Sequence, residues 1–300
     1  MAGAIQDTAE AAEWAQLMTP PHLEAAGDGE PVWKDNAFLG FWDLDRQIFG
    51  SVHVSTSPNA PQGRRARCSL LVAGRQVEII QPLDAGTFRG ESISFGLDGV
   101  ITIDHPEVSA QLTNAPLLSA VDYAATDVIP PLVPGRPLQH FQQACTVRGS
   151  VTIDGQAHEI DGEGLRDRTW GFRDESSQWL EYAALMSAFD GVFVTAMKFL
   201  LADGTTRADG FVVDADGAHP VTDIRYRRTA AAQFIAATLT LADGTTRTIT
   251  ATERHTGFFV PMGAETDGAA FGTYDDFMSL DYDGRPGGGF CEQGILHRVC

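Results

Sequence analysis

The sequence predicts an all-β protein made of antiparallel strands. From about residue 30 onward, short segments alternate apolar and polar side chains with a period of two, which is typical of strands with one buried face. Turn signals separate these segments, among them Asp98–Gly99 and Asp154–Gly155, whose residue types favour the tight turns of β-hairpins. Because no helical pattern lies between the segments, a parallel α/β sheet is disfavoured. Many short antiparallel strands at this spacing predict a barrel or a sandwich.

A short helix over residues 7–18 precedes the predicted strands. Asp7 followed by Glu10 forms a capping box, and Pro20 ends the helical pattern. The apolar side chains on one helical face are Trp14, Leu17 and Met18. We interpret this helix as a brace packed on a sheet, with a partner-binding helix as the alternative.

The first half of the chain contains the first set of predicted strands. They cover residues 38–44, 48–54, 65–72, 75–81, 87–95, 100–104 and 107–112. Residues 114–137 then interrupt the pattern, because their prolines lack the backbone donor that a strand ladder needs. This segment is also rich in leucine, isoleucine and valine. It is therefore interpreted either as a lid over a hydrophobic pocket or as a packed linker.

The second half of the chain contains the second set of predicted strands. They cover residues 140–153, 157–165, 178–187, 192–201, 207–213, 218–228, 232–241 and 247–254, with a final strand ending near residue 299. The heptapeptide Leu-Ala-Asp-Gly-Thr-Thr-Arg occurs at 201–207 and again at 241–247. Each copy predicts a hairpin turn between two strands. Because the repeat does not continue, the sequence does not predict a propeller or a solenoid.

Composition restricts the classes of partner. The chain has 300 residues, 43% of them hydrophobic, which is enough for a sizeable core. Its formal net charge of −19 disfavours nucleic acid and anionic membrane surfaces as partners. No signal peptide and no apolar stretch long enough for a membrane span is visible, so a cytoplasmic protein is expected. The sequence leaves a homodimer open.

Metal and cofactor sites are not predicted. Cys68, Cys145, Cys291 and Cys300 are too widely spaced for a zinc motif or a disulfide framework. The aspartates near the C-terminus lack the spacing of a calcium loop. No glycine loop leads from a strand into a helix, and no Gly-x-Ser-x-Gly motif is present, so a nucleotide site and a serine hydrolase are both disfavoured.

The histidines do not form a recognisable motif. Those on predicted strands are His140, His158, His255 and His297. We interpret a lone histidine on a strand as a packed or surface residue, although the sequence leaves open that three of them meet at a metal ion.

Residues 162–173 concentrate charge and aromatic surface more than any other part of the sequence. Their charged and aromatic side chains include Arg166, Asp167, Arg168, Trp170 and Arg173. Guanidinium groups beside a carboxylate and an indole can form the polar floor of an apolar pocket. They can equally form a structural ion-pair network that closes a sheet, and both interpretations stay open at this point.

Two carboxyl groups, Asp167 and Glu292, are the candidate acid–base residues. Closure of the strands into a barrel could bring them to one lumen although they are far apart in sequence. A carboxyl group in an apolar lumen has a raised pKa and can donate a proton, whereas one flanked by arginines stays ionised. Strand alternation places Arg166 and Arg168 on the face opposite to Asp167. The sequence alone does not decide between these environments.

Two motifs resemble those of a bacterial family of tandem lipocalin-like (calycin) proteins. The first is Gly-x-Gly-x-Arg-Asp-x-x-Trp-Gly-x-Arg at residues 162–173, and it follows a hairpin at residues 152–155. The second is Asp-Gly-Arg-x-Gly-x-Gly-x-x-Glu at residues 283–292. That family is related in fold to bacterial carotenoid 1,2-hydratases and to fungal lipocalin-like cyclases such as the Diels–Alderases. The family usually has histidine where this chain has Arg168, which removes that imidazole from the acid–base groups.

The resemblance implies two consecutive lipocalin-like antiparallel β-barrels after the short N-terminal helix. The corresponding divisions are residues 1–29 for the helix and lead-in, 30–160 for the first barrel and 161–300 for the second. It also implies an apolar ligand such as a terpenoid, a steroid or a polyketide. By analogy with the hydratases, the expected catalytic residues are Asp167 as proton donor, Arg166 and Arg168 as positioning groups, and Glu292. The expected substrate-binding aromatic residues are Trp170, Trp179, Tyr182, Phe193 and Tyr274, which ordinary core packing would explain as well.

Two functions follow from the sequence. The first is a cofactor-independent hydratase/dehydratase, isomerase or cyclase that transfers protons to a hydrophobic small molecule in a barrel pocket. The second is a non-catalytic carrier of a hydrophobic small molecule. A third interpretation, a structural pair of domains without a lumen, predicts barrel interiors filled by side chains. A pocket that contains Asp167 or Glu292 away from arginine favours the enzyme, and a purely apolar pocket favours the carrier.

Overall fold

The computed structural model describes residues 13–22, 26, 29–126, 128–261 and 267–299. The described chain is almost entirely antiparallel strand, as the sequence predicts. It contains one open ten-stranded sheet and one closed eight-stranded barrel. The prediction of two consecutive lipocalin-like barrels is therefore confirmed in its architecture, with the first barrel half-open and the second closed.

The first sheet is built by the N-terminal half. Its strands are β1 (Trp33–Asp43), β2 (Ile48–Thr56), β3 (Arg65–Val72), β4 (Arg75–Pro82), β5 (Ile93–Phe95), β6 (Val100–His105), β7 (Val108–Pro116), β8 (Val121–Asp122), β9 (Gln139–Ile153) and β10 (Gln156–Phe172). The spatial order is β4-β3-β2-β1-β10-β9-β7-β6-β5, with the short β8 paired to β9. Because β10 pairs with both β1 and β9, the motif strand lies in the middle of this sheet.

The closed barrel is built by the C-terminal half. Its strands are β11 (Trp179–Phe189), β12 (Val192–Leu201), β13 (Thr206–Asp214), β14 (Gly217–Arg228), β15 (Phe234–Leu241), β16 (Thr246–Pro261), β17 (Ala270–Tyr282) and β18 (Arg285–His297). They pair in chain order, and β18 closes the barrel on β11. The change from sheet to barrel thus falls between Phe172 and Trp179. The division of the chain into domains at residue 160/161 stays a prediction.

The helical segments that the structure describes are short. Residues Ala15–Met18 and Pro61–Gly63 form 3₁₀ helices, and Glu175–Gln178 forms one α-helical turn. Part of the helix predicted over residues 7–18 lies outside the described residues. In the described part, Trp14 and Leu17 pack into the first core as a brace would, whereas Met18 is largely exposed. None of the described helices is long and apolar enough to cross a membrane.

The repeated heptapeptide forms two similar hairpins, as predicted. The backbone N–H of Thr205 donates to Asp203 Oδ1 over 2.8 Å, and Thr245 donates to Asp243 over the same distance. Gly204 and Gly244 follow with φ of +84° and +85°, a left-handed conformation that glycine adopts without steric cost. The hairpins connect β12 to β13 and β15 to β16.

Three apolar clusters explain how the two sheets are arranged. Alternate residues of the first sheet, such as Leu39 and Leu70, form one core on its concave side. Side chains from the strands of the closed barrel, such as Leu185 and Ile249, fill its interior. The third cluster joins the opposite face of the first sheet to the outer wall of the barrel. Since each strand alternates its side chains, β10 and β11 both contribute to this junction with only one face.

Aromatic side chains and glycines interlock across the junction. A Cβ atom at Gly40 would lie 2.7 Å from the Phe290 ring, and one at Gly288 would lie 2.4 Å from the Trp42 ring. Both distances are too short for a real side chain, so each glycine leaves room for an aromatic ring of the opposite sheet. Two such contacts in opposite directions fix how the first sheet lies on the barrel wall.

Candidate active site

The junction contains a cavity of about 110 Å³ between the first sheet and the barrel wall. Its apolar lining includes Phe38, Ile129, Leu165, Trp179, Met186, Met197, Phe199 and Val260. Its polar lining comprises Asn36, His53, His140, Gln142, Asp167, Thr169, Arg173, Tyr182 and Glu292. The pocket expected inside a barrel therefore lies between the two sheets, because side chains fill the barrel interior. Asp167 and Glu292 both line it.

Strand register explains why these residues meet. Across the first sheet, Gln142 on β9 pairs with Asp167 on β10, Asp167 with Phe38 on β1, and Phe38 with His53 on β2. Residues that pair directly across strands point to the same face, so this row forms one side of the junction. On the barrel wall, Ala184 on β11 pairs with Glu292 on β18 and Glu292 with Asp275 on β17. This row of paired residues on the barrel wall faces the row on the first sheet and carries the carboxyl groups of Glu292 and Asp275.

Asp167 is held by three hydrogen-bond donors. His140 Nε2 lies 2.6 Å from Asp167 Oδ2, and Gln142 Nε2 donates to the same oxygen over 2.7 Å. The Thr169 hydroxyl donates to Asp167 Oδ1 over 2.7 Å. The Asp167 side chain keeps 13% of its surface exposed. Because the residue lines the cavity, this surface is accessible to a bound ligand.

These partners favour the ionised form of Asp167. Burial alone would raise the pKa of this carboxyl, but the charge of His140 and the hydrogen bonds from His140, Gln142 and Thr169 outweigh burial and lower the pKa below its ordinary value. The role of proton donor that the sequence suggested for Asp167 does not fit this environment. A carboxylate that stays ionised is a proton acceptor.

A hydrogen-bond chain across the junction orients Gln142. The Thr195 hydroxyl on the barrel wall donates to Gln142 Oε1. Since the one hydroxyl proton of Thr195 is used in this way, its contact of 2.8 Å with the Tyr123 hydroxyl is a bond that Tyr123 donates. Gln142 must then turn its amide nitrogen toward Asp167. The Tyr123 ring also stacks on His140 at 5.1 Å between ring centroids.

Glu292 has the opposite environment. Tyr182 donates its hydroxyl proton to Glu292 Oε1, and Asp275 lies directly opposite Glu292 across β17 and β18. Burial raises the pKa of Glu292, and the Asp167 charge raises it further, although hydrogen bonds from Tyr182 and Asp275 oppose this. Burial and the Glu292 charge hold the pKa of Asp275 well above its ordinary value, with the Arg67 charge opposing. This pair therefore retains a proton that Asp167 lacks.

His53 and Arg67 extend the row beyond Phe38. His53 lines the cavity and pairs across the strands with the fully buried Arg67. Burial and the neighbouring Arg67 charge lower the pKa of His53 to about 3, so its imidazole is neutral at physiological pH. Arg67 contributes positive charge near Asp275 without lining the cavity itself.

Arg166 and Arg168 lie on the face of β10 that points away from the cavity. Arg166 packs over the Trp14 ring at 4.7 Å and donates to Asn114 Oδ1 over 2.8 Å. Arg168 is ion-paired with Asp35 and donates to the Thr19 carbonyl over 2.9 Å. Strand alternation separates both from Asp167, as the sequence suggested. They form the structural network of the first core, and the structure does not place them as positioning groups for Asp167.

The arginine that does line the cavity is Arg173, which follows the end of β10. Its Nε lies 2.8 Å from Glu175 Oε1, and Glu175 also pairs with Lys34. A second cavity of about 470 Å³ includes Lys34, Arg173 and Glu175 in its lining. Arg173 thus forms part of the wall of both cavities.

The predicted aromatic residues divide into two groups. Trp179 and Tyr182 line the cavity, and both pack on Phe199 with ring centroids 5.3 Å apart. Trp170 instead stacks on His22 at 4.6 Å in the first core. The two remaining residues are also outside the lining: Phe193 is buried in the junction cluster, and Tyr274 packs on Phe259 at 5.3 Å.

Sequence reasoning missed several polar residues of the cavity. His140 was interpreted as a lone strand histidine, and Gln142 and Asp275 were not singled out. The alternation of His140 and Gln142 on one strand puts both on one face, which is a signal that the sequence carries. The pairing of that face with Asp167 depends on strand register, which the sequence does not give.

Ile129 lines the cavity, which supports the interpretation of residues 114–137 as a cover over the pocket.

The described part of the chain contains no group of three or more histidine, cysteine, aspartate or glutamate residues that could hold a metal ion. The carboxyl, imidazole and phenol groups that line the cavity are groups that can take part in acid–base chemistry.

Comparisons with known proteins identify a family and a fold. A family model described as a domain of unknown function (DUF7064) matches residues 21–294, and no curated protein matches the sequence. A solved structure of an AttH protein from Nitrosomonas europaea is similar at a TM-score of 0.63, with 15% identity over 98% of both chains. CghA with Sch210972 is similar at 0.59, with 12% identity over 90% of this chain and 89% of that one. Kievitone hydratase from Nectria haematococca is similar at 0.54, with 13% identity over 95% of both chains. These likenesses show the tandem lipocalin-like fold that the two sequence motifs resemble.

Proposed function

The chain belongs to the DUF7064 family, and we propose that it is a cofactor-independent enzyme that transfers protons to and from a hydrophobic small molecule in the junction cavity. The reaction class is that of a hydratase/dehydratase, a lyase reaction, with isomerisation or cyclisation as related outcomes of the same proton transfers. The substrate is of terpenoid, steroid or polyketide type, and a cavity of about 110 Å³ holds its reacting part.

One observation carries this proposal. Asp167 and Glu292 line the same aromatic cavity, and their surroundings move the two pKa values in opposite directions. Two titratable groups that differ in this way are suited to serve as base and acid of one reaction. The fold similarity to kievitone hydratase is in keeping with this reaction class.

The residues divide the work of hydration as follows. A water molecule between the substrate and Asp167 loses a proton to the carboxylate while its oxygen attacks the unsaturated carbon. The proton that Glu292 and Asp275 share passes through Glu292 to the carbon at the other end of the double bond, while Tyr182 holds the Glu292 carboxyl in position. Dehydration uses the same groups in reverse. Trp179 and Phe199 hold the apolar part of the substrate.

A carrier of hydrophobic molecules is the alternative that this site disfavours. A carrier needs shape and apolar surface, whereas this lining includes a hydrogen-bonded carboxylate, a second carboxyl and two histidines. Burying such polar groups costs free energy unless they form hydrogen bonds. A protein that only binds an apolar molecule does not need them.

The test uses a panel of small unsaturated hydrocarbons and alcohols of terpenoid type in H₂¹⁸O, with label incorporation measured by mass spectrometry. We expect incorporation above the uncatalysed rate for at least one member of the panel. Replacement of either acid–base group, in Asp167→Asn or Glu292→Gln, should lower kcat/KM by about 10²–10⁴-fold.

A matched control is Glu163→Gln, which changes a carboxyl on the same face of β10 outside the cavity lining. It should retain the rate of the unaltered protein. Tight binding of the panel without any label incorporation would favour the carrier instead. Full activity of Asp167→Asn would remove Asp167 from the mechanism.

A further inference from the structure

We propose that the second cavity, of about 470 Å³, binds the part of the substrate that the junction cavity cannot hold. We call it the outer cavity. The substrate is then a small unsaturated head that carries a long uncharged chain. The head lies between Asp167 and Glu292, and the chain passes Arg173 into the outer cavity. This inference rests on the proposed function and deepens it, because it concerns the shape of the substrate and its route of entry.

The junction cavity is too small for the whole of the proposed substrate. An engineered apolar cavity of about 150 Å³ binds benzene, whereas the junction cavity has a volume of about 110 Å³. Terpenoids, steroids and polyketides are all larger than benzene. The reacting part of such a molecule fits between the two sheets, and the rest of it needs a second space that adjoins the first.

Two neighbouring cavities share lining residues with the junction cavity. One shares Ile129 and His140 with it, but its volume of about 10 Å³ is room for one water molecule. The other is the outer cavity, which shares Arg173 and has a volume of about 470 Å³. The volumes therefore favour the outer cavity as the space for the rest of the substrate.

Arg173 forms the common wall of the two cavities. On the junction side, burial raises the pKa of Glu292 and the Arg173 charge opposes this rise. On the outer side, burial lowers the pKa of Lys34, and the Arg173 charge adds to this effect against the opposing charge of Glu175. One guanidinium thus acts on ionisable groups of both cavities. The aliphatic stem of Arg173 gives an apolar chain a surface to pass along while the charged head stays paired with Glu175.

The apolar part of the outer cavity is formed by Pro31, Val32 and Leu132. Since Glu30 and Pro31 belong to the lining and are exposed, the outer cavity lies at the protein surface. A chain bound there packs along Val32 and Leu132 and ends in water. The substrate therefore enters, and the product leaves, through the outer cavity.

The charges around the outer cavity favour an uncharged chain. Both cations of its lining, Lys34 and Arg173, pair with Glu175. Glu30 pairs with Arg136, whose Nη1 lies 3.1 Å from Glu30 Oε1. The three carboxylates of the lining are thus balanced by Lys34, Arg173 and Arg136. An ionised group on the ligand would find no excess of opposite charge here.

The first experiment uses Lys34 as a reporter of the outer cavity in the unaltered protein. The sequence contains two lysines, and the second, Lys198, lies outside both linings. The protein is treated with acetic anhydride, and acetylation of each lysine is followed by mass spectrometry. At about ten times its Kd, 6-phenylhexan-1-ol should slow acetylation of Lys34 about tenfold, which is the factor set by occupancy. Toluene, which fits the junction cavity alone, should leave Lys34 unprotected, and acetylation of Lys198 should stay the same with either ligand.

Three outcomes of this experiment would overturn the inference. Lack of acetylation of Lys34 without ligand would mean that the outer cavity is closed to solvent. Lack of protection by 6-phenylhexan-1-ol would mean that its chain does not reach the outer cavity. Equal protection by toluene would mean that the protection does not come from a chain.

The second experiment measures how affinity changes with chain length, by titration calorimetry. The chain of 6-phenylhexan-1-ol is longer than that of 3-phenylpropan-1-ol, and each additional methylene group contributes up to about 0.8 kcal/mol, or about fourfold in affinity, when it is buried. Part of this gain is lost when the chain becomes ordered, so we expect the longer alcohol to bind at least about tenfold more tightly. Equal affinities would overturn the inference.

Tryptophan substitutions show which cavity holds the chain. Leu132→Trp fills the outer cavity, so it should remove the gain in affinity with chain length and leave toluene binding unchanged. Val32→Trp should have the same effect, and it replaces Leu132→Trp if loss of toluene binding shows that the first variant does not fold. The matched control is Val100→Trp, at an exposed position of β6 outside both linings, which should keep the full gain. A filled variant that binds toluene and keeps the full gain would contradict the proposal.

The results distinguish this inference from the proposed function. Incorporation of ¹⁸O by a small alkene, without any gain in affinity with chain length, would overturn the inference and leave the proposed function standing. A gain that Leu132→Trp abolishes, without incorporation by any member of the panel, would overturn the proposed function and leave a ligand site that spans both cavities. Absence of incorporation, of toluene binding and of Lys34 protection would overturn both.

Discussion

The groups around Asp167 and Glu292 shift the pKa values of these two carboxyls in opposite directions. Three donors surround Asp167, whereas Glu292 has one phenol donor and a second carboxyl beside it. A carboxylate is stabilised by donated hydrogen bonds and destabilised by burial beside another acid. The same functional group, a carboxyl, is thus given a lowered or a raised pKa by neighbours that are distant in sequence.

At the residue scale, we predict that the titration of Asp275 makes the free energy of unfolding decrease as pH rises. Its folded-state pKa is raised far above 3.8, so the folded protein binds more protons than the unfolded chain between these two values. Stability is therefore fully present below the unfolded pKa and decreases as pH rises toward the folded pKa, by up to about 1.4 kcal/mol per pH unit. Asp275→Asn keeps the shape of the side chain and lacks this titration.

Urea unfolding at pH 5 and at pH 8 measures this effect. The Asn variant should gain stability relative to the unaltered protein between the two pH values. If the difference in the free energy of unfolding is the same at both, Asp275 does not hold its proton in the folded state.

The element that connects both cores is β10, whose two faces have different roles. One face presents Leu165, Asp167 and Thr169 to the cavity, and the other presents Arg166 and Arg168 to the first core. The charged side chains that lie close together in the sequence of β10 are therefore divided between the lining of the cavity and the first core.

At the scale of this element, we predict that Arg168→Met destabilises the fold without changing the cavity. The replacement leaves Asp35 as a buried carboxylate without its guanidinium partner, which costs about 3–5 kcal/mol. The double variant Arg168→Met, Asp35→Leu should be more stable than the single variant, because it removes the buried carboxylate that has lost its guanidinium partner.

Chemical denaturation gives the stabilities, and toluene binding to the folded fraction reports on the cavity. If Arg168→Met leaves the stability unchanged but abolishes the enzyme reaction, Arg168 acts as a positioning group in catalysis, as the resemblance to the hydratases implied.

At the scale of the molecule, the cavity exists because two sheets meet. Asp167 lies on the first sheet and Glu292 on the barrel wall, so neither half contains both of the proposed acid–base groups. We predict that the chain can be separated into 1–174 and 175–300, which keeps every strand with its own sheet. Co-expression of these two pieces should give a complex, because the apolar junction cluster is buried between them.

Separation at 160/161, the sequence-based boundary, should give no complex. It would remove most of β10 from its place between β1 and β9 and leave each of these two strands with one unpaired edge. Co-purification through a tag on one piece distinguishes the two cases. A stable complex only from the 160/161 pieces would support the sequence-based boundary.

Much of the fold could be predicted from the sequence, because alternation and Asp–Gly turns are local signals. The hairpins at 201–207 and 241–247 show this directly. The site was only partly predictable. Asp167, Glu292, Trp179 and Tyr182 were nominated and line the cavity, but Trp170 lies on the opposite face. Register and sheet packing, which put His140 beside Asp167 and Asp275 beside Glu292, depend on long-range contacts that no local pattern encodes.

The interlock of Trp42 with Gly288 and of Phe290 with Gly40 has a consequence for how such proteins diverge. A larger residue at either glycine would displace the opposing ring and slide one sheet over the other, which changes the separation of Asp167 from Glu292. Each glycine can therefore be replaced only in lineages where the facing aromatic has already become smaller. Among descendants of one ancestral sequence, these positions should change as pairs, and a new substrate preference could arise from such a paired change without any replacement in the cavity.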